Sequence, residues 1–433
     1  MSKRILSMIL AFSTAFCAVM LSACNQENTP PVETNSPNTV VRETDAQPKD
    51  EKTVMLPEQD VRVISINLAY NNENMEARGE LMMPLLLSYE PDSIGTQENG
   101  GYTDWLEFFA EKLPNYGRVG LVSSGDPDTS QHQSGNHIFY NADKYNCLDW
   151  DTIWLSHTPN FISSYQHGLL RTCTWIILEN KDTGFRYVHM NAHLAFENDE
   201  FNLFQMKLLQ KLMLSFYELG LPVFLTGDFN TSEGSGSYEY MVSADEIADS
   251  KYEAEKTMSG GTFRGWGDRD LSDGVPIDFC MITGQVMDVH EYEIIDTYVD
   301  GVALSDHCGI FVHATVDSLP DSFNGSKRPS ANGIEITEVS NRAYLYEFSF
   351  TQATDIHLIP SYHVELFDSS GNEIYDHIIP SRHLDEEMPE TKNCTFTCLD
   401  PETEYTVKLY AVNLIGAESD PITFSFTTKS IDQ

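Results

Sequence analysis

Residues 222–230 read PVFLTGDFN, and the fold turns on this stretch. Val223, Phe224 and Leu225 have the β-branched and aromatic make-up of a short buried strand. The run stops at Gly227, and Asp228 and Asn230 follow at once, where a strand end meets solvent. Two residues apart in extended chain, their side chains are expected to point the same way. One brings charge, the other an amide that both donates and accepts. Outward from this stretch, other apolar runs stop on the same kinds of residue. Asn67 ends 61–68 (VRVISINL), Glu98 closes 93–98, and His193 stands near the end of 186–194. Asp278 opens a strand at 277–279, and Asp306 with His307 leads into the strand 308–316.

The chain has 433 residues, room for two domains or more. Its formal charge of −40 argues against a general basic face for nucleic acid, since that mode sets Lys and Arg against phosphates. The same acidity suits divalent cations and solubility outside a cell. Lys3 and Arg4 precede an uncharged apolar stretch, 5–21, and Leu21-Ser22-Ala23-Cys24 follows where a cleavage site belongs. That ending resembles the lipobox of bacterial lipoproteins. The resemblance implies a signal peptide over 1–23, a lipid on Cys24, and an extracytoplasmic protein anchored to a membrane. An ordinary cleaved signal and a short membrane helix are the alternatives. Residues 24–58 then comprise the lipidated cysteine and a Pro-, Asn-, Thr- and acid-rich tether, with a reach on the order of 30 Å.

Strands are expected at 61–68, 93–98, 137–140, 152–156, 172–179, 186–194 and 292–298, besides those named above. A helix over 77–88 contains Pro84, which should kink or split it. Thr103 is expected to cap a helix burying Leu106, Phe109, Ala110 and Leu113. Asn198 should cap a helix over 199–219 whose apolar face is Phe201, Phe204, Leu208, Leu212, Phe216 and Leu219. Strands and helices alternate irregularly, so the sheets should be mixed. Six cysteines lie beyond Cys24, with no CxxC or zinc-type spacing; they read mostly as small buried hydrophobes.

The ordered set is Asn67, Glu98, His193, Asp228, Asn230, Asp278, Asp306 and His307. Strand ends are where such sheets place their sites. Rich in carboxylates with two histidines, the set suits a hard cation, Mg²⁺ or Mn²⁺, better than zinc. Taken singly, Glu98 reads as a solvated loop acid and His193 as a core histidine; their joint order makes the case. The motifs SINL, GTQEN, NAHL, GDFN, PIDF and SDHC, in that order over 61–316, resemble the endonuclease/exonuclease/phosphatase superfamily. Residues 138–140, 154–159 and 262–265 look like a secreted bacterial branch of it.

The resemblance implies a DNase I-like four-layer α/β sandwich with two mixed β-sheets over 59–317. It also implies hydrolysis of a phosphate ester by in-line attack of water, without a covalent intermediate. By the same likeness Glu98, Asn67 and Asp306 hold the metal, and Asp228 orients or deprotonates the water. Asn230 and His193 bind the phosphate, and His307 faces it with Asp278 behind. The expected substrate is a nucleic acid, a nucleotide or a lipid head group. A phosphodiesterase or nuclease comes first; a phosphomonoesterase or sphingomyelinase-like enzyme, or a non-enzymatic surface binder, are the alternatives. Arg78, Arg118, Arg171 and Arg264 could touch substrate, although a surface salt bridge is the commoner fate of such residues.

Beyond a polar linker at 318–330, short strands with turn signals suggest a small all-β sandwich over 331–429. Leu399, Pro401, Thr403, Tyr405, Val407, Leu409, Ala411, Asn413 and Gly416 resemble the fibronectin type III pattern, with a corner tyrosine. A spacer role and a carbohydrate or cell-surface protein partner are both open for it.

Overall fold

The computed structural model describes residues 58–70, 74–99, 104–124, 135–159, 162–317, 329–353, 361–380, 391–413 and 418–431. The expected signal, Cys24, the tether up to 57, Thr103, Gly416 and most of the linker lie outside the described residues.

In chain order, β1 (Gln59–Asn67), α1 (Met75–Leu87), β2 (Ser93–Gln97) and α2 (Asp104–Lys112) lead to β3 (Tyr116–Val119) and β4 (His137–Asn141). Next come β5 (Tyr145–Trp154), β6 (Thr172–Asn180), β7 (Arg186–His193), α3 (Asp199–Glu218) and β8 (Val223–Asp228). Short elements follow: α4 (Gly236–Met241), β9 (Ile247–Asp249), α5 (Ser250–Glu253) and β10 (Lys256–Thr257). The unit closes with β11 (Asp278–Thr283), β12 (Met287–Ile295), β13 (Tyr298–Val299), β14 (Val302–Ala303) and β15 (Gly309–Val316). One sheet runs β10-β12-β15-β1-β2-β4-β3 and the other β5-β6-β7-β8-β11-β9. Both are mixed: β1–β2 and β7–β8 pair parallel, β1–β15 and β8–β11 antiparallel.

Alternation along the strands builds the layers. On β1, Val61 and Val63 face the second sheet, where they meet Tyr187, Phe224 and Ile282. Ile64 and Ile66 face the other way, onto Met82, Leu86, Trp105 and Phe109 of α1 and α2. On β8, Val223 and Leu225 face Leu208, Leu212 and Phe216 of α3, while Phe224 points between the sheets. The order is therefore helix, sheet, sheet, helix.

Several local expectations are corrected. Of the kink or split expected at Pro84, the split does not occur: α1 runs through it to Leu87 as one helix, with Pro84 exposed. Trp105 and Phe108 are buried on α2 where Ala110 was expected, and Ala110 is exposed. The cap of α3 is as expected, with Asn198 Oδ1 accepting from Phe201 N at 2.9 Å, but Phe201 and Phe204 are only half-buried. Strand β5 starts at Tyr145 instead of 152, past a bulge at Cys147/Asp149. All six described cysteines are free; Cys398 is exposed, Cys147 half-buried and the other four buried.

The C-terminal strands β16 (Ile336–Asn341), β17 (Leu345–Thr351), β18 (Ser361–Phe367), β19 (Glu373–Pro380), β20 (Thr391–Thr397), β21 (Glu404–Val412) and β22 (Ile422–Thr427) form two antiparallel sheets. Their orders are β16-β17-β20 and β19-β18-β21-β22. Tyr405 Oη accepts from Asp400 N at 2.9 Å, closing a corner.

Candidate active site

The rows of side chains that face between the two sheets are apolar along most of their length and polar at one end. Val61 and Val63 give way to Ser65 and Asn67 on β1, and Phe224 gives way to Thr226 and Asp228 on β8. On β7 the row runs Tyr187, His189, Asn191, His193, and on β11 it starts at Asp278. The intermediate members bond to one another across the sheets. Gln97 Nε2 donates to Ser65 Oγ at 3.1 Å and Asn191 Oδ1 at 2.6 Å. Asn191 Nδ2 donates to the carbonyls of Thr96 and His137 at 2.9 and 3.1 Å, and His189 bridges Ser93 and Thr226 at 2.8 and 2.9 Å. Gly95 permits this close approach: a Cβ there would lie 2.5 Å from Thr226 Oγ1.

Asp228 is the hub. Its Oδ2 accepts from Asn67 Nδ2 at 3.0 Å, and its Oδ1 from Asn230 N at 2.9 Å. His193 Nε2 and His307 Nε2 stand 3.5 and 3.6 Å from Oδ2, in ion-pair range. Burial, then the charge of Asp278, push the Asp228 carboxyl up to about 7, against the opposing pull of His307 and its hydrogen bonds.

The two histidines beside it are held oppositely. Burial alone would depress His307, but Asp278 Oδ2, 2.9 Å from Nδ1, and the charges of Asp228 and Asp306 raise it to about 10. His307 is therefore an imidazolium with Nδ1–H committed to Asp278. Burial, Arg171 and His307 push His193 well below the ordinary range, so it is neutral. Arg171 is itself buried, with its guanidinium in the field of Glu197, Asp228 and Glu98, and burial lowers its pKa.

Asn67 spends its amide on Asp228 and on Ala69 N, which donates to Oδ1 at 2.9 Å, so it orients the hub. Glu98 accepts from Tyr70 N at 3.1 Å and is half-buried, as is Asp306, whose carbonyl accepts from Arg264 N and Gly265 N. Asn230 follows with a φ of 48° that turns the chain out of the strand, and its side chain donates to Leu194 O, next to His193, at 3.0 Å. Ala69 and Glu98 are also left-handed, at 50° and 55°. Such strain collects where a site over-determines the backbone.

One ligand-type atom from each of Asp228, Asp278 and His307 lies within 4.8 Å of the others. Because His307 is protonated onto Asp278, the carboxylates of Glu98 and Asp306 are the better donors for a hard cation. Asp278 Oδ1, Arg171 Nε and His193 Nδ1 are buried without a hydrogen-bond partner. The orphaned carboxylate oxygen fits a cation and the orphaned guanidinium N–H fits an anion, so a metal–phosphate pair matches the residues present.

Of the candidate arginines, Arg171 alone comes to this cluster. Arg78 is corrected to a positioning residue: it donates to the carbonyls of Leu68, Ala69 and Leu304 and lies between the rings of Trp105 and Trp266. It thereby ties the loop after Asn67 to the loop before Asp306. Arg264 pairs with Asp296 at 2.5 Å, and Arg118 is exposed on β3. Sequence reading missed Thr262, whose Oγ1 accepts from Ile277 N and Asp278 N, and Ser305, which donates to Asn67 O at 2.6 Å and accepts from His307 N. A lone hydroxyl carries no periodic signal. The inter-sheet residues did carry one, being polar on rows that should be apolar.

The sequence model of the Endonuclease/Exonuclease/phosphatase family matches residues 64–307. No curated protein sequence matches the chain. Among solved structures, an endonuclease/exonuclease/phosphatase family protein from Bacteroides thetaiotaomicron is 26% identical, with a TM-score of 0.55, over 60% of this chain and 99% of that one. A mannosyl-6-phosphatase from the same organism is 26% identical, with a TM-score of 0.54, over 59% and 99%. A family protein from Bacteroides vulgatus, at 24% and 0.54, covers 60% and 99% and adds evidence of fold. With the two mixed sheets and their layer order, these likenesses establish the DNase I-like architecture.

Proposed function

The chain belongs to the endonuclease/exonuclease/phosphatase family, and on that premise we propose that it is a metal-dependent phosphomonoesterase acting on a phosphorylated sugar. The observation that carries the reading is Asp228, buried and held by Asn67 and Asn230 between a neutral and a cationic histidine. Its carboxyl, raised to about 7, is matched to taking a proton from water near neutral pH. Water attacks phosphorus as the ester P–O bond breaks; the proton passes to Asp228 and returns through solvent to the departing alcohol. His307, fixed by Asp278, and Arg171 donate to the phosphoryl oxygens, two cationic groups suited to a dianion. Glu98 and Asp306 would hold Mg²⁺ or Mn²⁺, which would offset charge on the phosphoryl oxygens and the leaving oxygen. The 26% identical mannosyl-6-phosphatase supports the monoester and the sugar. The charge of −40 weighs against a polynucleotide.

Hydrolysis of hexose 6-phosphates and of bis-p-nitrophenyl phosphate, each with EDTA and after Mg²⁺ or Mn²⁺ is restored, tests this. Metal-dependent turnover favouring the monoester is expected. Preference for the diester returns the reading to a phosphodiesterase or nuclease; turnover unaffected by Asp228→Ala ends it.

Export and lipidation at Cys24 are proposed from the N-terminal residues alone, and Cys24→Ser should release the protein from membranes. For the C-terminal unit, the strand orders and the Tyr405–Asp400 corner support a fibronectin type III-like sandwich.

A further inference from the structure

Large aromatic rings left in water need a reason when they gather. The catalytic unit exposes six among its described residues: Tyr70, Trp150, Phe196, Tyr252, Phe263 and Trp266. Four of these border the candidate site. Phe196, three residues past His193 and 65% exposed, has its ring 5.6 Å from the Arg171 guanidinium. Tyr70, 64% exposed, gives its backbone N–H to Glu98. The Phe263 ring lies 5.1 Å from that of His307, and Trp266 covers Arg78 at 4.9 Å. Phe196, Tyr70 and Phe263 thus stand beside the three parts of the site that would meet phosphate and metal, with much of each residue still exposed.

We propose that Phe196 and Tyr70, with Phe263, form a stacking rim that grips the pyranose ring of the alcohol being released, a specificity device resting on the phosphomonoesterase reading. The apolar C–H face of a pyranose packs on aromatic faces, and its hydroxyls donate to acceptors. Acceptors surround the rim: Glu197, which already takes Leu169 N at 2.8 Å, and Glu98. A nucleobase also stacks, but the ribose that bears the phosphate holds that base farther from the phosphorus than the pyranose ring of a hexose 6-phosphate. A linear alcohol offers no face at all.

The test compares kcat/KM of the metal-loaded full chain for mannose 6-phosphate, glycerol 3-phosphate and adenosine monophosphate. The wild type should prefer the hexose ester. In Phe196→Ala the ratio of hexose to glycerol ester should fall about tenfold, through KM, and Tyr70→Ala should lower it less. Phe196→Trp should keep the ratio. Phe196 is exposed, so the fold does not depend on it. An unchanged ratio in both alanine variants, or a wild type preferring the nucleotide, overturns the rim while leaving a working phosphatase. Absence of turnover with all three esters overturns the site reading itself, and the rim with it.

Discussion

The chain builds two sandwiches, and their inner layers differ in kind. In the C-terminal one the layer is apolar throughout: Phe348, Phe350, Tyr362, Val364, Phe396, Val407, Leu409 and Phe426 fill it. The buried polar side chains described there are Ser361, Ser419 and Thr428, all small hydroxyls. In the catalytic one, half the inner layer is surrendered to Ser65, Gln97, His189, Asn191 and Thr226, and ends on Asp228 and Asp278. A layer that only holds two sheets together follows the apolar rule. One that must present a buried carboxylate to a substrate breaks it, and the break is stable because most of its polar groups bond across the sheets, while the atoms left over, Gln97 Oε1 and Asp278 Oδ1 among them, lie at or next to the site.

The difference is sharpest if it is attacked from both sides. Asp228→Asn keeps shape and removes the proton acceptor, so kcat for the preferred ester should fall on the order of 10³ to 10⁴. Thermal stability should change far less than activity, because removing a carboxylate that burial disfavours offsets setting an amide NH₂ against the donors that Asp228 accepts from. Phe348→Ala should do the reverse. Emptying a fully buried ring site in the C-terminal layer costs about 3–5 kcal/mol, read by denaturant unfolding, while kcat stays near the wild-type value. A loss of activity in the second variant equal to that in the first would erase the distinction.

Much of this was legible in residue order. Asn67 and Asp228 announce themselves because an apolar, β-branched run ends abruptly on a polar side chain, and Asp278 because one begins on it. Once the family motifs fix the order of strands, their meeting follows from sheet geometry. What escaped depends on the third dimension. Asn230 leaves the strand by a left-handed turn that spacing cannot show. Arg78 lies against Trp105, Trp266 and the Leu304 carbonyl, which are far from it in sequence, so a buried cation looked like a surface one. Ala110 fitted the helical period, yet the bulkier Trp105 and Phe108 took the buried face. The two histidines are alike as letters; only the carboxylate behind His307 and the guanidinium beside His193 separate them.

The polar half-layer has its own weak point. Thr226 Oγ1 meets His189 Nε2 at 2.9 Å in a wholly buried setting. Thr226→Val is nearly isosteric but strands that nitrogen, which should cost about 1–3 kcal/mol in denaturant unfolding. Activity should fall far less than in Asp228→Asn, since the substitution lies one row below the hub. Thr226→Ser, which keeps the hydroxyl, should recover most of the stability; if it does not, the hydrogen bond is not what holds this layer.

The smallest effect is expected where the C-terminal sandwich does carry polar chemistry, on its outer face. His363 is held between Glu418, 2.6 Å from Nδ1, and Asp376, 2.8 Å from Nε2, and it stacks on Tyr410. Partial burial would lower its pKa, but the hydrogen bonds to Asp376 and Glu418, then their charges, raise it. A raised folded value means the imidazolium pairing stabilises fully below the ordinary histidine value of about 6.5. That contribution fades as pH climbs through the folded value. The ring is partly open to water, so the change should be slight. An NMR titration of His363 should show a midpoint above 6.5, and His363→Gln should flatten the fall in melting temperature between mildly acidic and alkaline pH. A midpoint at or below the ordinary value would mean that solvent, not Glu418 and Asp376, sets the charge of this face.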